Sequence, residues 1–481
     1  MSGGMKRGFL MLSGGGAASK VLGAVREIAL AQFFGTGPVA DALRAALSLT
    51  LNPIHLFTRV IQAGFIPHYA QEEDGSAERA ALYRAVSLLF LGLSVLIAAT
   101  LFLFAEPVVR FALPGFSGER FTLAAQMLRV LAAGVPFYMY TTILGALGAA
   151  QSNYVIPAMR PAVQNVALIV FVVWAALSGR PIVAAWGFSG AYCALAIAAT
   201  IYFRGRGLFP KAQARGADFR NPFWISVRPL LLLSFVLQAN ILAERAVTSL
   251  IGNGSIAGLD YARFLSETAH FLIAMPLGLM SLSLFARMDE RTARDETDRL
   301  LALLIALFLA LASLLFWRGD LIVRLIFFRG AFDEASLAVT TTGLRGLAAG
   351  LTFFSASYLL QRIMQARLAH GLVLRAEIAG AAVNIVFNFL FYRSLGLMVI
   401  GLGAGMGALT SLAHYVPASR SHFRRTRRTL PIALLLTAAY AFGVAWLLPR
   451  WGAPEWAGVV LFLVVWGPYL LSALRSFQRS E

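Results

Sequence analysis

The 481 residues contain one cysteine, Cys193, set inside an apolar run. No intrachain disulfide and no cysteine cluster for a metal can form, and thiol chemistry has no second sulfur to use. Charge is scarce as well: 13% of residues are Asp, Glu, Lys or Arg, where a soluble domain carries about a quarter. Acids are rarer than bases, 23 against 41, for a formal charge of +18. Long polar stretches are missing, so no basic soluble domain exists to bind nucleic acid, and the positive-inside rule accounts for the excess of Lys and Arg. The six histidines, His55, His68, His270, His370, His414 and His422, lack zinc-ligand spacing. Enzyme motifs are missing too. Gly14-Gly15-Gly16-Ala17-Ala18-Ser19-Lys20 has no Gly before its Lys and is not a P-loop, and Gly35-Thr36-Gly37 lacks the third Gly of a dinucleotide turn. Both read as a flexible hinge or as close helix packing.

What the chain has in abundance is apolar length, with 59% hydrophobic residues. Stretches of about 20 apolar residues, enough to cross a hydrocarbon core of about 30 Å, recur from end to end. They lie near 8–35, 39–69, 82–106, 121–149, 154–178, 182–203, 223–251, 256–286, 297–317, 335–366, 370–392, 395–418, 430–449 and 456–474. The fold expected is an all-α polytopic membrane protein of about fourteen transmembrane helices. Lys6 and Arg7 before Phe9 to Leu12 mimic a signal peptide, but Gly14 ends the apolar core early, so a retained first helix is expected. With a cytoplasmic N-terminus, the inside loops hold Arg204, Arg206, Lys211, Arg215 and Arg220, then Arg287, Arg291 and Arg294, then Arg420, Arg424, Arg425, Arg427 and Arg428. The opposite loops hold fewer, such as Arg120, Arg180 and Arg450. An even helix count returns Arg475 and Arg479 to the cytoplasm, so both termini are expected inside a bacterial cytoplasmic membrane.

Residues 205–222 form the most polar connection and read as a cytoplasmic linker. The expected organisation is a six-helix lobe over 1–204, a second over 223–419, and two extra helices over 420–481. Internal similarity supports the halves: Phe34-Gly35-Thr36-Gly37 resembles Ile251-Gly252-Asn253-Gly254, and each precedes an Asp-x-x-Arg, Asp41 to Arg44 and Asp260 to Arg263.

The second span carries a polar stripe of Asp41, Arg44, Ser48, Asn52, His55, Arg59 and Gln62, three or four residues apart and so on one helix face. The eighth repeats it with Asp260, Arg263, Glu267 and His270. Such stripes sit in a bilayer only against water or other polar groups, which suggests a cavity between the halves. The spans also contain Lys20, Arg26, Glu27, Arg129, Arg160, Glu244, Arg245, Arg345, Arg362, Arg375 and Glu377. Each charge costs about 2.5–3.5 kcal/mol at the bilayer centre, so together they would exceed a folding free energy of about 5–15 kcal/mol if they faced lipid. They must be paired, snorkelling or facing water. Asp41 with Arg44, Glu244 with Arg245 and Asp260 with Arg263 could be structural pairs, and Arg129, Arg345 and Arg362 read as structural. His55 and His270 lie on the stripes, where a structural hydrogen bond is the simpler role. In the first two spans Lys20, Arg26, Arg44 and Arg59 outnumber Glu27 and Asp41, which favours an anionic ligand such as a phosphate or diphosphate.

These residues resemble the lipid II flippase family, MurJ or MviN, of the multidrug/oligosaccharidyl-lipid/polysaccharide exporter superfamily. Ser19-Lys20-Val21-Leu22-Gly23-Ala24-Val25-Arg26-Glu27 is similar to the family's Ser-Arg-x-Leu-Gly-x-x-Arg-Asp/Glu opening. Leu113-Pro114-Gly115-Phe116, Ile156-Pro157-Ala158 with Pro161 and Asn165, Glu244-Arg245, Gly254-Ser255-Ile256 with Tyr261-Ala262, and Phe328-Arg329-Gly330-Ala331-Phe332-Asp333 match further family patterns in order. The chain departs from the family in the second span, where Asn52-Pro53, His55 and Arg59 replace the Pro-Asn, Arg-Arg and Glu-Gly elements. In the eighth, Tyr261-Ala262-Arg263-Phe264 moves the Arg by one position, about 100° around a helix.

The resemblance implies two lobes around a cationic cavity, alternating access, and a C-terminal groove for a polyprenyl tail. It also implies movement of a lipid-linked peptidoglycan precursor, lipid II, from the inner to the outer leaflet. Substrate contact is expected of Lys20, Arg26, Asp41, Arg44, Asn52, His55, Arg59, Arg263 and Glu267, with Gly14, Gly15, Gly16 and Pro53 as hinges. The resemblance places an ion site at Glu244, Asn384, Asn388 and Thr410, with sodium, protons or the membrane potential as coupling candidates and no other metal or cofactor. The partners expected are a lipid-linked glycan, membrane lipids and cell-envelope synthesis enzymes, around a monomer that binds no nucleic acid. Alternatives are a flippase for another lipid-linked polysaccharide, a multidrug antiporter, which needs an anionic or aromatic cavity, and a non-transporting envelope scaffold. A membrane enzyme would need a clustered base or metal site, which the sequence does not display.

Overall fold

The computed structural model describes residues 3–73, 76–210, 218, 222–226, 228–285 and 288–478, with side chains from Ala18 onward except at 63, 226, 228–230, 232, 233, 279, 282–284 and 476–478. Lys211, Arg215, Arg220, Arg287 and Arg479 of the basic segments lie outside the described residues, and of Gly14 to Gly16 only the helical backbone is described. The elements among the described residues are all helices, joined by turns, with no strand.

Chain contacts divide the protein into two compact units. The first is Met1–Asn253 with Arg329–Ala331, and the second Gly254–Phe328 with Phe332–Glu481. The first contains α1 (Gly3–Phe34), α2 (Pro38–Val60), α3 (Ala77–Leu103), α4 (Ala105–Ala112), α5 (Gly118–Ala132), α6 (Val135–Ala150), α7 (Val155–Ser178), α8 (Val183–Gly205) and α9 (Arg228–Ile251). The second contains α10 (Ser255–Ala269), α11 (Glu290–Phe327), α12 (Glu334–Ala366), α13 (His370–Leu395), α14 (Met398–Ser419), α15 (Arg424–Phe442) and α16 (Ala457–Gln478).

Among the described residues nine helices are long and apolar enough to cross a membrane, or ten if α5 and α6, bent by 44°, count as one broken span. The helices that miss this test include α1, α2, α9 and α10, which hold Lys20 to Glu27, the two stripes and the Glu244-Arg245 pair. α2 carries its charged stripe, whereas α10 is 15 residues long.

The repeated glycine motifs are turns. Gly35 (φ +53°) ends α1, and Gly37 then caps α2, which begins on Pro38. Gly254 caps α10 from a left-handed conformation (φ +76°), where Gly37 is extended. These left-handed conformations suit glycine, and Pro38 gives up no hydrogen bond at a first turn. Gly330 (φ +59°) belongs to the segment that joins the first unit, where the Ala331 amide donates to the Gln32 carbonyl at 2.8 Å. A Cβ on Gly330 would collide with that carbonyl.

Three helices widen into π-turns at Ile61–Phe65, His270–Ala274 and Gly443–Leu447. Each is followed two residues later by a proline: Pro67, Pro276 and Pro449. Proline lacks an amide hydrogen and its ring clashes with the carbonyl four residues back. That carbonyl belongs to Ala63, Leu272 or Ala445, each inside the widened turn. Pro53 sits inside α2 with no π-turn beside it.

In the second unit α12 and α14 cross backbone to backbone. Gly346 and Gly350 face Gly401 and Gly405, and a Cβ on Gly401 would overlap the Gly346 backbone. Trp466 of α16 is buried with Ala310 of α11 and Ala433 of α15. Asp298 of α11 accepts from the Arg425 amide at 2.7 Å, the Thr426 amide at 2.9 Å and the Thr426 hydroxyl at 2.7 Å. A carboxylate from another helix thus caps α15, satisfying amides that a helix start leaves unpaired.

Candidate functional site

In the first unit the α2 stripe changes character along its length. Asp41 and Arg44 are buried, Ser48 and Asn52 half-buried, and His55, Arg59 and Gln62 exposed. The buried end is consumed by ion pairs. Glu27, 4% exposed, receives Arg44 from α2 on one oxygen and Arg26 on the other at 2.6 Å. Arg26 also donates to Asn165 Oδ1 of α7 at 2.9 Å, and Asn165 returns a bond to the Ser19 carbonyl at 3.0 Å. A buried carboxylate is tolerable because both oxygens meet guanidinium donors.

Asp41 has no exposed surface and pairs with Arg120 at 3.3 Å. Arg120 further donates to the carbonyls of Gly252 and Gly115, each at 3.0 Å, and its guanidinium lies 4.7 Å from the Phe116 ring centre. The Gly115 amide donates to Ser249 Oγ at 3.1 Å, and a Cβ on Gly115 would strike the Ser249 backbone. The Leu113-Pro114-Gly115-Phe116 motif therefore fastens the start of α5 to the end of α9. Arg120, counted in the sequence as a loop charge, is a buried structural cation; its neighbouring Pro-Gly turn was the available signal.

At the exposed end, the His55 ring lies 6.3 Å from that of Tyr138 on α6. Arg160 of α7 donates to Thr142 Oγ1 at 2.6 Å and to the Tyr138 hydroxyl at 2.8 Å. Tyr138, Thr142 and Arg160 were not singled out by the stripe because they come from two other helices. Lys20 is exposed on α1, and Asn52 bonds Ser48 at 3.4 Å. Arg129, read as structural, pairs with Glu106 at 2.9 Å.

Glu244 belongs to the first unit and is buried. The other expected ion-site residues belong to the second. Asn388 donates to Asn384 Oδ1 at 2.9 Å, its own Oδ1 is buried without a hydrogen-bond partner, and a Cβ on Gly403 would strike both side chains. The Thr410 hydroxyl donates to the Met406 carbonyl at 2.9 Å. Arg263 is half-buried and Glu267 exposed on α10. His270 bonds Ser355 at 3.1 Å and packs on Phe354 and Tyr358. Among the described residues no His, Cys, Asp and Glu cluster could hold a metal ion.

The sequence model of the family described as "Lipid II flippase MurJ" matches residues 30–467. A probable lipid II flippase MurJ of Bdellovibrio bacteriovorus is 27% identical, over 84% of this chain and 80% of the relative. One from Rhizobium tropici is 25% identical, over 92% and 87%. Among solved structures, a lipid II flippase MurJ in an inward closed conformation superposes with a TM-score of 0.80 at 18% identity, covering 98% of this chain and 99% of the other. An inward-facing multidrug resistance MATE family transporter of the MOP superfamily gives 0.61 at 15% identity, over 85% and 96%. The family description is that of a transporter and not of an enzyme. With the family's sequence pattern running through nearly every helix of both units, the chain belongs to the lipid II flippase MurJ family.

Proposed function

We propose that this protein moves a polyprenyl-diphosphate-linked glycan, the peptidoglycan precursor lipid II, from the inner to the outer leaflet of the bacterial cytoplasmic membrane by alternating access. The match of the family to residues 30–467 carries the reading. The charge of the first unit supports it: Glu27 and Asp41 are buried in ion pairs, while Lys20, His55 and Arg59 are exposed. A cationic drug would find these acids already taken, which disfavours the multidrug alternative.

In this proposal α1, α2, α9 and α10 also cross the membrane, giving fourteen spans with both termini cytoplasmic and a monomer as the working unit. The orphaned Asn388 Oδ1 beside Asn384 supports a hard cation such as sodium at that point, since amide oxygens suit such ions. The test is replacement of a lipid II flippase in a depletion strain. Growth with lipid II at the cell surface supports the reading, whereas correct insertion without growth reassigns the chain to another lipid-linked glycan or to a scaffold for cell-envelope enzymes.

A further inference from the structure

In the first unit most buried or bridging arginines are neutralised. Arg26 and Arg44 share Glu27, Arg120 has Asp41, and Arg129 has Glu106. Arg160 differs. Its partners are neutral, the Thr142 and Tyr138 hydroxyls, and its guanidinium carbon lies 4.5 Å from the centre of the Tyr138 ring. Tyr192, which donates to Gln164 at 2.7 Å, stands beside it. Arg59 is exposed on α2, one helical turn beyond His55. Among the described residues no carboxylate lies within ion-pair distance of Arg59 or Arg160. His55 lies between them in the structure's contacts, since its ring adjoins that of Tyr138, which Arg160 covers, and Arg59 follows it by four residues on the same helix.

A guanidinium held by neutral partners, with an imidazole and a second arginine on the adjoining helix face and no acid paired to either arginine, leaves positive charge that an anion with several oxygens can balance. The two hydroxyls hold Arg160 in one orientation and leave its remaining N–H groups for a planar, two-point contact with phosphate oxygens. We propose that His55, Arg59 and Arg160, with Tyr138 and Thr142 positioning Arg160, form a subsite for the diphosphate of the lipid-linked substrate. This places the anion contact at the exposed end of the α2 stripe, away from the Glu27 cluster. The choice of a lipid-borne diphosphate rests on the flippase reading, whereas the diphosphate chemistry rests on the side chains. With a cytoplasmic N-terminus, the second half of α2 and the first turns of α7 lie toward the cytoplasm, so this is the side on which substrate loads.

The test uses the full chain in lipid nanodiscs with three probes: lipid II, a polyprenyl diphosphate without sugar, and inorganic diphosphate. Arg160→Gln is expected to weaken binding of the polyprenyl diphosphate by about tenfold or more, with Arg160→Lys recovering part of it. Arg129→Gln, outside the subsite, binds as the parent does. Should Arg160→Gln melt early, Arg59→Gln at its exposed position reads the same subsite. Loss on both lipid probes supports the subsite and the lipid II reading together. Arg160-dependent binding of the sugarless lipid, with no binding of lipid II, upholds the subsite and defeats lipid II as substrate. Inorganic diphosphate binding as tightly, with the same dependence on Arg160, upholds the chemistry and moves its source to a free anion. Equal affinities in the parent, Arg160→Gln and Arg59→Gln, or no binding of any probe by the parent, overturn the proposal.

Discussion

Glu27 of α1 holds Arg44 of α2, and both side chains are withdrawn from solvent at 5% and 7% exposure. The charged beginning of the α2 stripe is thus a joint between two helices, and its exposed end is what remains for a ligand. Removing one member of a buried ion pair strands the other, at a cost of about 3–5 kcal/mol. Glu27→Gln should therefore lower the thermal midpoint of the detergent-solubilised protein well below that of the parent. Glu27→Gln combined with Arg44→Met should recover much of the loss. Equal midpoints for the parent and Glu27→Gln would contradict this account of the joint.

The crossing of α12 and α14 has no room for a side chain at Gly401. Gly401→Val should force the helices apart and reduce the yield of folded protein, by an overpacking cost of about 1–3 kcal/mol or more. Gly371→Ala, with open space around it, should leave yield and melting unchanged. A normal yield for Gly401→Val would mean that the crossing is looser than the glycine contacts require.

Asp298 supplies three hydrogen bonds to the start of α15. Asp298→Ala should fray that helix start, costing about 1–3 kcal/mol for the unsatisfied groups. The exposed Arg424, Arg425, Arg427 and Arg428 should then be cut sooner by trypsin. Unchanged cleavage kinetics at these arginines would show that the cap is dispensable.

If Pro276 causes the π-turn at His270–Ala274, Pro276→Ala should return that turn to i−4 hydrogen bonding. A structure of the variant that kept the wide turn would assign it to packing instead.

The stretches of helix were legible because apolar runs of membrane length recur and because Gly and Pro mark the turns at Gly35 to Pro38 and at Gly254. The charged helices were legible for the opposite reason, since their stripes stood out against apolar surroundings. Partner identity was not. Periodicity places Asp41 and Arg44 on one face, but Arg120 comes from beyond a Pro-Gly turn and Glu27 from another helix. The grouping of Tyr138, Thr142 and Arg160 with His55 was invisible for the same reason. The π-turns precede Pro67, Pro276 and Pro449, but Pro53, Pro161, Pro417, Pro431 and Pro468 lie inside helices without one, so proline in the sequence does not by itself mark them.

The account's central claim is that this chain carries lipid II across the membrane. Its most direct test is the amount of lipid II in the outer leaflet of cells in which this protein is the sole flippase, measured by an enzyme confined to the outside. The account predicts outer-leaflet lipid II with the parent chain and a sharp fall with the Arg59→Gln, Arg160→Gln double variant at equal membrane abundance. Lipid II retained in the inner leaflet of cells with correctly inserted parent protein would contradict it.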